Sequence, residues 1–137
     1  MARRSCLTGT WSGAYRYPAN RLPETVFNAQ IEEVAGAFTG DIQEPNLLRP
    51  HLGPVVSSNI EGVRTAQDVS FTKFYDGSGG QQHAVRYEGV ANETLTRIDG
   101  RWSIPNQWSG TFFMARDDDG EAAEAVEKAE EVITQGR

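Results

Sequence analysis

Three side chains in this sequence could bind an ion or transfer a proton if the fold brings them together. They are Glu44, Lys73 and His83. An inward lysine can bind a carboxylate or phosphate through its ammonium. It can also act as a base, because burial disfavours the charged ammonium and lowers its pKa. Histidine can serve as an acid, a base or a metal ligand near neutral pH. Structural alternatives exist as well, since Glu44 and Lys73 can form an ion pair and a lysine can extend its ammonium to solvent at a rim. The residue types therefore leave binding, catalytic and structural roles open.

Three common sequence motifs for catalysis or cofactor binding are absent from the chain. It contains no Gly-x-Ser-x-Gly, no P-loop and no dinucleotide-binding fingerprint. Its two histidines, His51 and His83, have no cysteine near them, which is not the usual spacing of a metal site. We therefore expect no metal and no cofactor, and the pattern assigns no catalytic residue.

The elements that must position these side chains are predicted to be β-strands, because apolar and polar residues alternate from Leu7 to Arg116. In the first segment Leu7, Trp11 and Tyr15 share the inward face, and polar residues alternate with them. Eight segments follow this pattern, at 7–17, 27–32, 38–44, 60–64, 69–75, 83–89, 98–104 and 108–116.

Short turns join most of these segments, so neighbours along the chain should pair as antiparallel strands. Closing eight strands on themselves removes exposed edges and leaves room inside for side chains or one small ligand. The predicted fold is thus all-β: an eight-stranded antiparallel up-and-down β-barrel over residues 1–116, followed by a C-terminal α-helix or tail over 117–137. A two-sheet sandwich is the alternative fold.

The acidic C-terminal stretch changes to a helical period. Its apolar residues Ala122, Val126, Ala129 and Ile133 are four, three and four residues apart, after an aspartate run at 117–119. Such a helix would lie on the barrel wall, pair with a second chain, or remain a tail. A homo-oligomer formed through the barrel wall or this helix is therefore one of the open alternatives.

Trp11 and Arg116 are expected to meet where the first and last strands close one end of the barrel. Odd strands then run away from this end, and Arg64 falls near it, where we expect it to help Arg116 stack on Trp11. Inward residues late in odd strands and early in even strands line the open mouth: Tyr15, Tyr17, Phe27, Ile42, Glu44, Lys73, Tyr75, His83, Trp102, Ile104 and Trp108. All but Tyr17 and Ile104 are candidate ligand-binding residues, because small-molecule pockets combine apolar walls with a few polar groups.

The longest connection, over 45–56, carries Leu47, Leu48 and Leu52. It is more apolar than a loop that merely crosses solvent. It is predicted either to form a lid over the mouth or to plug that end of the barrel with its leucines.

Composition and charge limit the partners and the location. The 137 residues allow one domain with a modest core. The net charge of -6 argues against nucleic acid as a partner, since that binding needs clustered Lys and Arg to neutralise phosphates. No apolar run suits a membrane span or a signal peptide, and the single Cys6 can form no internal disulfide. We therefore expect a cytoplasmic protein with no membrane contact.

Two short stretches resemble the avidin and streptavidin family. Leu7-Thr8-Gly9-Thr10-Trp11 is similar to the family's first strand, and Gly36-Ala37-Phe38-Thr39-Gly40 to its third. An early Gly-x-Trp that meets an arginine of the last strand is also typical of lipocalin-like barrels, which together with avidins are called calycins. The resemblance implies a barrel that holds a small molecule. Ile42 and Glu44 replace the Tyr and Ser of the avidins, so biotin binding is not expected.

A longer resemblance, over residues 7–116, is to small uncharacterised bacterial calycin-like proteins. Its marks are Gly100-Arg101-Trp102-Ser103-Ile104-Pro105 and Trp108-Ser109-Gly110-Thr111-Phe112. It implies the barrel and brings no activity with it. Heme-binding nitrobindins share the early Gly-x-Trp, but their axial histidine lies late in the chain and no histidine follows His83 here, so heme is not expected.

Two classes of function follow from these patterns. The first is a protein that binds a small, mostly apolar molecule in the barrel mouth, with Lys73 or His83 fixing a polar end. The alternative is a small enzyme of isomerase, cyclase or hydrolase type that uses acid–base residues in the same cavity. A third hypothesis is an interaction module whose barrel is filled by its own side chains and whose acidic C-terminal helix recruits a partner. Binding is favoured, because no pair of these residues has a spacing that requires chemistry.

Overall fold

The chain folds into a closed antiparallel barrel in which each strand pairs with the next and the last strand pairs with the first. The computed structural model describes residues 6–47, 49–77 and 83–117. The strands are β1 (Gly9–Arg16), β2 (Thr25–Val34), β3 (Ala37–Pro45), β4 (Val55–Thr65), β5 (Asp68–Tyr75), β6 (Ala84–Ala91), β7 (Arg97–Ile104) and β8 (Trp108–Arg116). The predicted eight-stranded up-and-down barrel is confirmed, and the sandwich alternative is wrong.

One short turn and one strand glycine show how the sequence favours this closed up-and-down path. Ala35 and Gly36 join β2 to β3 with backbone φ angles of 52° and 87°, and two positive φ angles in succession are typical of a type I′ hairpin turn. Gly13 lets β1 and β8 approach closely, because a Cβ at this position would lie 2.1 Å from the carbonyl oxygen of Phe113. The pairing of the first strand with the last therefore requires a glycine at position 13.

One end of the barrel is closed by Trp11 and Arg116, as the sequence predicted. The Trp11 side chain is fully buried, and its indole nitrogen donates to the carbonyl oxygen of Leu7 at 2.9 Å. The guanidinium of Arg116 lies 4.6 Å from the centre of the Trp11 ring and donates to backbone oxygens of Thr8, Cys6 and Leu95. This end is held by a buried arginine and main-chain acceptors.

The role expected for Arg64 is wrong in detail. Arg64 lies at the closed end, but its guanidinium binds both carboxylate oxygens of Glu33, at 2.7 and 2.8 Å. Glu33 also accepts the backbone N–H of Leu7 at 3.0 Å. Through the carboxylate of Glu33, Arg64 thus connects β4 to β2 and to the start of the chain. Arg116 stacks on Trp11 and is held in place by its own hydrogen bonds to main-chain oxygens.

Aromatic side chains fill the middle of the barrel. The rings of Phe71 and Tyr87 stack in parallel with centres 4.7 Å apart, and Phe112 meets both rings edge-on. These side chains are at most 4% exposed. They form a solid layer above the closed end, so open space is left toward the other end.

The connection between β3 and β4 ends close to where it was expected, because β4 begins at Val55 and the predicted connection ran to residue 56. Asn46 shapes it: its side-chain nitrogen donates to the carbonyl oxygens of Arg49 and Gly53, and its oxygen accepts the N–H of Arg49. Leu47 and Leu52 are 45% and 49% exposed, so the prediction that these leucines plug the barrel is wrong. Leu48 lies outside the described residues.

The predicted C-terminal helix, with its stripe from Ala122 to Ile133, lies outside the described residues and stays a prediction. Within the described part of the chain, no helix has the length and apolar character needed to cross a membrane.

Candidate functional site

A buried ion pair lies inside the barrel toward its open end. Glu44 comes from the end of β3 and Lys73 from the second half of β5, and both point inward because they follow the inward parity of their strands. Their exposed fractions are 5% and 1%, and Lys73 Nζ lies 3.0 Å from Glu44 Oε1. Burying two charges is costly unless each is paired and hydrogen-bonded, so the contacts around this pair decide whether it is stable.

Both carboxylate oxygens of Glu44 accept hydrogen bonds. Oε1 accepts from Lys73 and, at 3.1 Å, from the hydroxyl of Tyr75. Oε2 accepts from the hydroxyl of Tyr15. The three donors come from β1 and β5, so both oxygens of Glu44 are held by hydrogen bonds.

Aromatic rings enclose the ammonium of Lys73. Its Nζ lies 4.5 Å from the ring centre of Tyr75, 4.7 Å from that of Tyr15 and 5.3 Å from that of Tyr87, within the range of cation–π attraction. Burial by itself lowers the pKa of Lys73, but Tyr87 and Glu44 outweigh it and hold the pKa well above its usual value. Lys73 is therefore a protonated cation at neutral pH and has no free lone pair to act as a base.

The tyrosines and the histidine around the pair are neutral at pH 7. Burial raises the pKa of Tyr15, and the nearby Glu44 carboxylate raises it further. Burial also raises the pKa values of Tyr75 and Tyr87, although Lys73 opposes this shift. The pKa of His83 is lowered by partial burial and by Lys73, and Glu44 opposes this shift. The ion pair thus supplies the charges in this cluster.

A cavity of about 240 Å³ lies at the open end above Lys73. Its rim includes two exposed side chains, His83 and Gln107, so the cavity meets solvent there. The residues that line it are Tyr15, Tyr17, Lys73, Tyr75, His83, Val85, Tyr87, Trp102, Ile104, Gln107 and Trp108. Most of these side chains are aromatic, and the ammonium of Lys73 is the one formal charge among those that line this cavity.

Mutual ring contacts fix the aromatic wall. Tyr17 lies 5.4 Å from Trp102 and 5.0 Å from Trp108, measured between ring centres, and the two indoles meet edge-on at 6.0 Å. Trp102 is further held by a hydrogen bond of 2.9 Å from its indole nitrogen to the carbonyl oxygen of Arg16. On the other side, the ring of His83 lies 4.6 Å from Tyr75. The wall is therefore formed before any ligand arrives.

A second, smaller pocket of about 40 Å³ adjoins the cavity and shares Tyr15, Tyr17, Tyr75 and His83 with it. Glu44 lines this pocket, together with Asn46 and Leu47 of the β3–β4 connection. The two ends of the ion pair therefore face different spaces, with Lys73 on the cavity and Glu44 on the small pocket.

The structure brings most of the candidate ligand-binding residues together. Six of them line the larger cavity, namely Tyr15, Lys73, Tyr75, His83, Trp102 and Trp108, and Glu44 lines the smaller pocket. Phe27 and Ile42 pack in the core, where Phe27 stacks against Tyr15 at 6.4 Å. Their contact with a ligand stays a prediction.

Three lining residues were not among the expected mouth residues: Val85, Tyr87 and Gln107. Val85 and Tyr87 follow the inward parity of β6. Val85 is the second residue of the strand, so the rule that early residues of even strands line the mouth applies to it and could have found it. Tyr87 lies near the middle of the strand, beyond the reach of that rule. Gln107 lies in the turn between β7 and β8, where no alternation marks an inward side chain.

Within the described part of the chain, no group of three or more His, Cys, Asp or Glu side chains is arranged to hold a metal ion. No model of a known protein family matches the sequence, and a search of curated proteins found no relative. The barrel is consistent with the calycin resemblance. The interpretation of the site therefore depends on its own geometry.

Proposed function

We propose that this protein binds a small, mostly apolar aromatic molecule in the cavity at the open end of a calycin-like barrel. The observation that supports this most directly is a cavity of about 240 Å³ with aromatic walls and a single buried ammonium. Concave, mainly apolar sites with a few placed polar groups are the usual form of small-molecule binding sites.

The size of the cavity limits the ligand. An apolar protein cavity of about 150 Å³ holds one benzene molecule. By that scale, 240 Å³ has room for on the order of ten non-hydrogen atoms, or a bicyclic aromatic ring. Flat rings suit this space, because Tyr17, Trp102 and Trp108 offer ring faces and edges.

Binding is preferred to catalysis because the charged groups are already engaged. Both oxygens of Glu44 accept hydrogen bonds and Lys73 stays protonated, so neither is a free base. An isomerase, cyclase or hydrolase in this cavity would have to rely on His83, whose ring packs on Tyr75 at the rim.

The lone Cys6 favours a reducing, cytoplasmic location for such a binding protein.

The test is saturation-transfer NMR with indole, an uncharged bicyclic molecule, on the wild-type protein and two variants of β6. Val85→Phe places a ring in the cavity, whereas Val90→Phe makes the same change at a position that is 58% exposed on the outer wall. We expect transfer to indole in the wild type and in Val90→Phe, and its loss in Val85→Phe. Equal transfer in all three proteins, or none in the wild type, would contradict the proposal.

A further inference from the structure

We propose that Glu44 determines the ligand class of this cavity: by neutralising Lys73, it makes the site select an uncharged aromatic molecule with an acceptor oxygen, such as an aryl ketone, over an aryl carboxylate. This inference rests on the proposed function, since it concerns the chemistry of the ligand held in the same cavity. It assigns Glu44 a role in specificity through Lys73, without direct contact with the ligand.

The first step of the argument is the arrangement of the pair. Lys73 lines the cavity and Glu44 lines the adjoining small pocket, and Nζ and Oε1 are 3.0 Å apart. The cavity thus faces the positive end of a dipole whose net charge is zero. A lysine alone at this position would be a site for an anion, but this lysine already has its counter-charge.

The second step concerns the cost of burying a ligand charge. A carboxylate that enters the cavity loses its hydration and meets a pair that is already balanced, so the buried cluster would carry an uncompensated negative charge. It would also lie near Glu44, which has the same sign. A cationic ligand would leave an uncompensated positive charge in the same way and would meet the ammonium first. Both kinds of ion are disfavoured relative to a neutral molecule of the same shape.

The third step is the polar match that remains. An ammonium has three N–H donors, and one of them lies on Glu44 Oε1. A carbonyl oxygen can accept from a donor such as Lys73 without bringing a formal charge into the cavity. The rings of Tyr17, Trp102 and Trp108 then pack against the aromatic part of the ligand. An uncharged ring that carries one acceptor oxygen satisfies both requirements.

The experiment compares acetophenone with benzoate, two molecules of nine non-hydrogen atoms that differ mainly in charge. Binding is measured at pH 7 by ligand-observed NMR titration, and competition between the two probes shows that they share one site. In the wild type we expect benzoate to bind at least about tenfold more weakly than acetophenone. Equal affinities would overturn the inference while leaving the proposed function intact, whereas the absence of binding by both probes and by indole would contradict the proposed function itself.

A charge variant then tests the role of Glu44 directly. Glu44→Gln keeps the shape of the side chain and leaves Lys73 without its counter-charge, so benzoate should gain affinity and the ratio of the two affinities should reverse or fall about tenfold. Glu61→Gln makes the same charge change at an exposed position of β4 and should leave the ratio as in the wild type. A ratio that does not change in Glu44→Gln, in protein with the circular dichroism of the wild type, would overturn the inference.

A second variant covers the case in which Glu44→Gln does not fold. The double variant E44Q/K73M removes both charges together, so it leaves no unpaired ion in the core. It should bind acetophenone and reject benzoate at least as strongly as the wild type does. A gain in benzoate affinity in the double variant would contradict the proposal, because no positive end would remain to attract it.

Discussion

Arg116 at the end of the last strand lies directly opposite Trp11 of the first strand, with its guanidinium 4.6 Å from the centre of the indole. The same guanidinium donates to backbone oxygens of Thr8 and Cys6 near the start of the chain, and to that of Leu95 in the turn before β7. One buried side chain therefore joins both termini of the barrel and an adjacent turn. This relationship closes one end of the molecule and leaves the opposite end for a ligand.

Replacing this arginine should destabilise the fold without altering the cavity. Arg116→Met keeps much of the side-chain volume but leaves three backbone carbonyls without their donor in a site that is 2% exposed. We expect the free energy of unfolding to fall by about 3 kcal/mol or more, since each buried unsatisfied group costs about 1–3 kcal/mol. Urea denaturation measures this loss. Acetophenone affinity well below the denaturation midpoint should match the wild type, and a large change there would contradict the separation of the two ends.

The closure of the barrel and the location of its open end could be predicted, because both depend on side-chain alternation within strands and on strand direction. The inward parity of Trp11, Lys73 and Trp108 follows from alternating side chains, and short turns leave an up-and-down path as the simple arrangement. Direction along each strand then places Lys73 and Trp108 at the open end. The barrel and the general position of the cavity could therefore be argued from sequence.

The detailed contacts of the site could not be predicted in the same way. Parity shows that Glu44 and Lys73 face inward, but the stagger between strands decides that they meet at 3.0 Å with Tyr15 and Tyr75 on the same carboxylate. Stagger also decides that Arg64 reaches Glu33 rather than the Trp11 site. Alternation within a strand gives a face and a direction, whereas contacts between distant strands depend on the register of the whole sheet.

Lys73 and Glu44 should show strong energetic coupling. Lys73→Met leaves a buried carboxylate without its cation, and we expect a loss of about 3–5 kcal/mol in unfolding free energy. Adding Glu44→Gln should recover part of this loss, giving a coupling energy of about 2 kcal/mol or more in a double-mutant cycle by urea denaturation. The control pair is Arg97 and Asp99 on the outer wall, at 2.9 Å with side chains 34% and 62% exposed. Its coupling should stay below about 1 kcal/mol, and similar values for both pairs would contradict this account.

Gly110 should be intolerant of a side chain because of the aromatic wall. A Cβ at this position would lie 1.9 Å from the carbonyl oxygen of Arg16 and 2.5 Å from Nε1 of Trp102, so it would break the hydrogen bond between these two groups. We expect Gly110→Ala to lower the free energy of unfolding by about 2 kcal/mol or more and to shift the tryptophan emission spectrum. Ser109→Ala, one residue earlier, should leave both close to the wild type. An unchanged emission spectrum in Gly110→Ala would show that Trp102 is not held as described.

The titration of His83 should report the charge of Lys73. Partial burial and Lys73 lower the pKa of His83 below its ordinary value of 6.5, and Glu44 opposes this effect. The NMR signal of the His83 ring should therefore titrate below pH 6.5 in the wild type, and its midpoint should rise in Lys73→Met, because the repelling cation is gone and the carboxylate remains. Loss of the signal in His83→Gln identifies it. A midpoint that falls or does not move in Lys73→Met would contradict the proximity of the two groups.

The closed end should lose stability in acid through Glu33. The hydrogen bonds from Arg64 hold the pKa of Glu33 below its ordinary value of 4.5. A carboxyl group whose pKa is lower in the folded than in the unfolded protein stabilises the fold above its unfolded pKa, and this contribution is lost as the pH falls through the folded pKa. Glu33→Gln should therefore be less stable than the wild type at pH 7, and the difference should shrink as the pH falls below about 4.5. Urea denaturation of both proteins from pH 7 to pH 3 measures this convergence, with Glu61→Gln as the exposed control. A difference that stays constant over this range would mean that the ionised Glu33 does not stabilise the fold through its contacts with Arg64 of β4 and with Leu7 at the start of the chain.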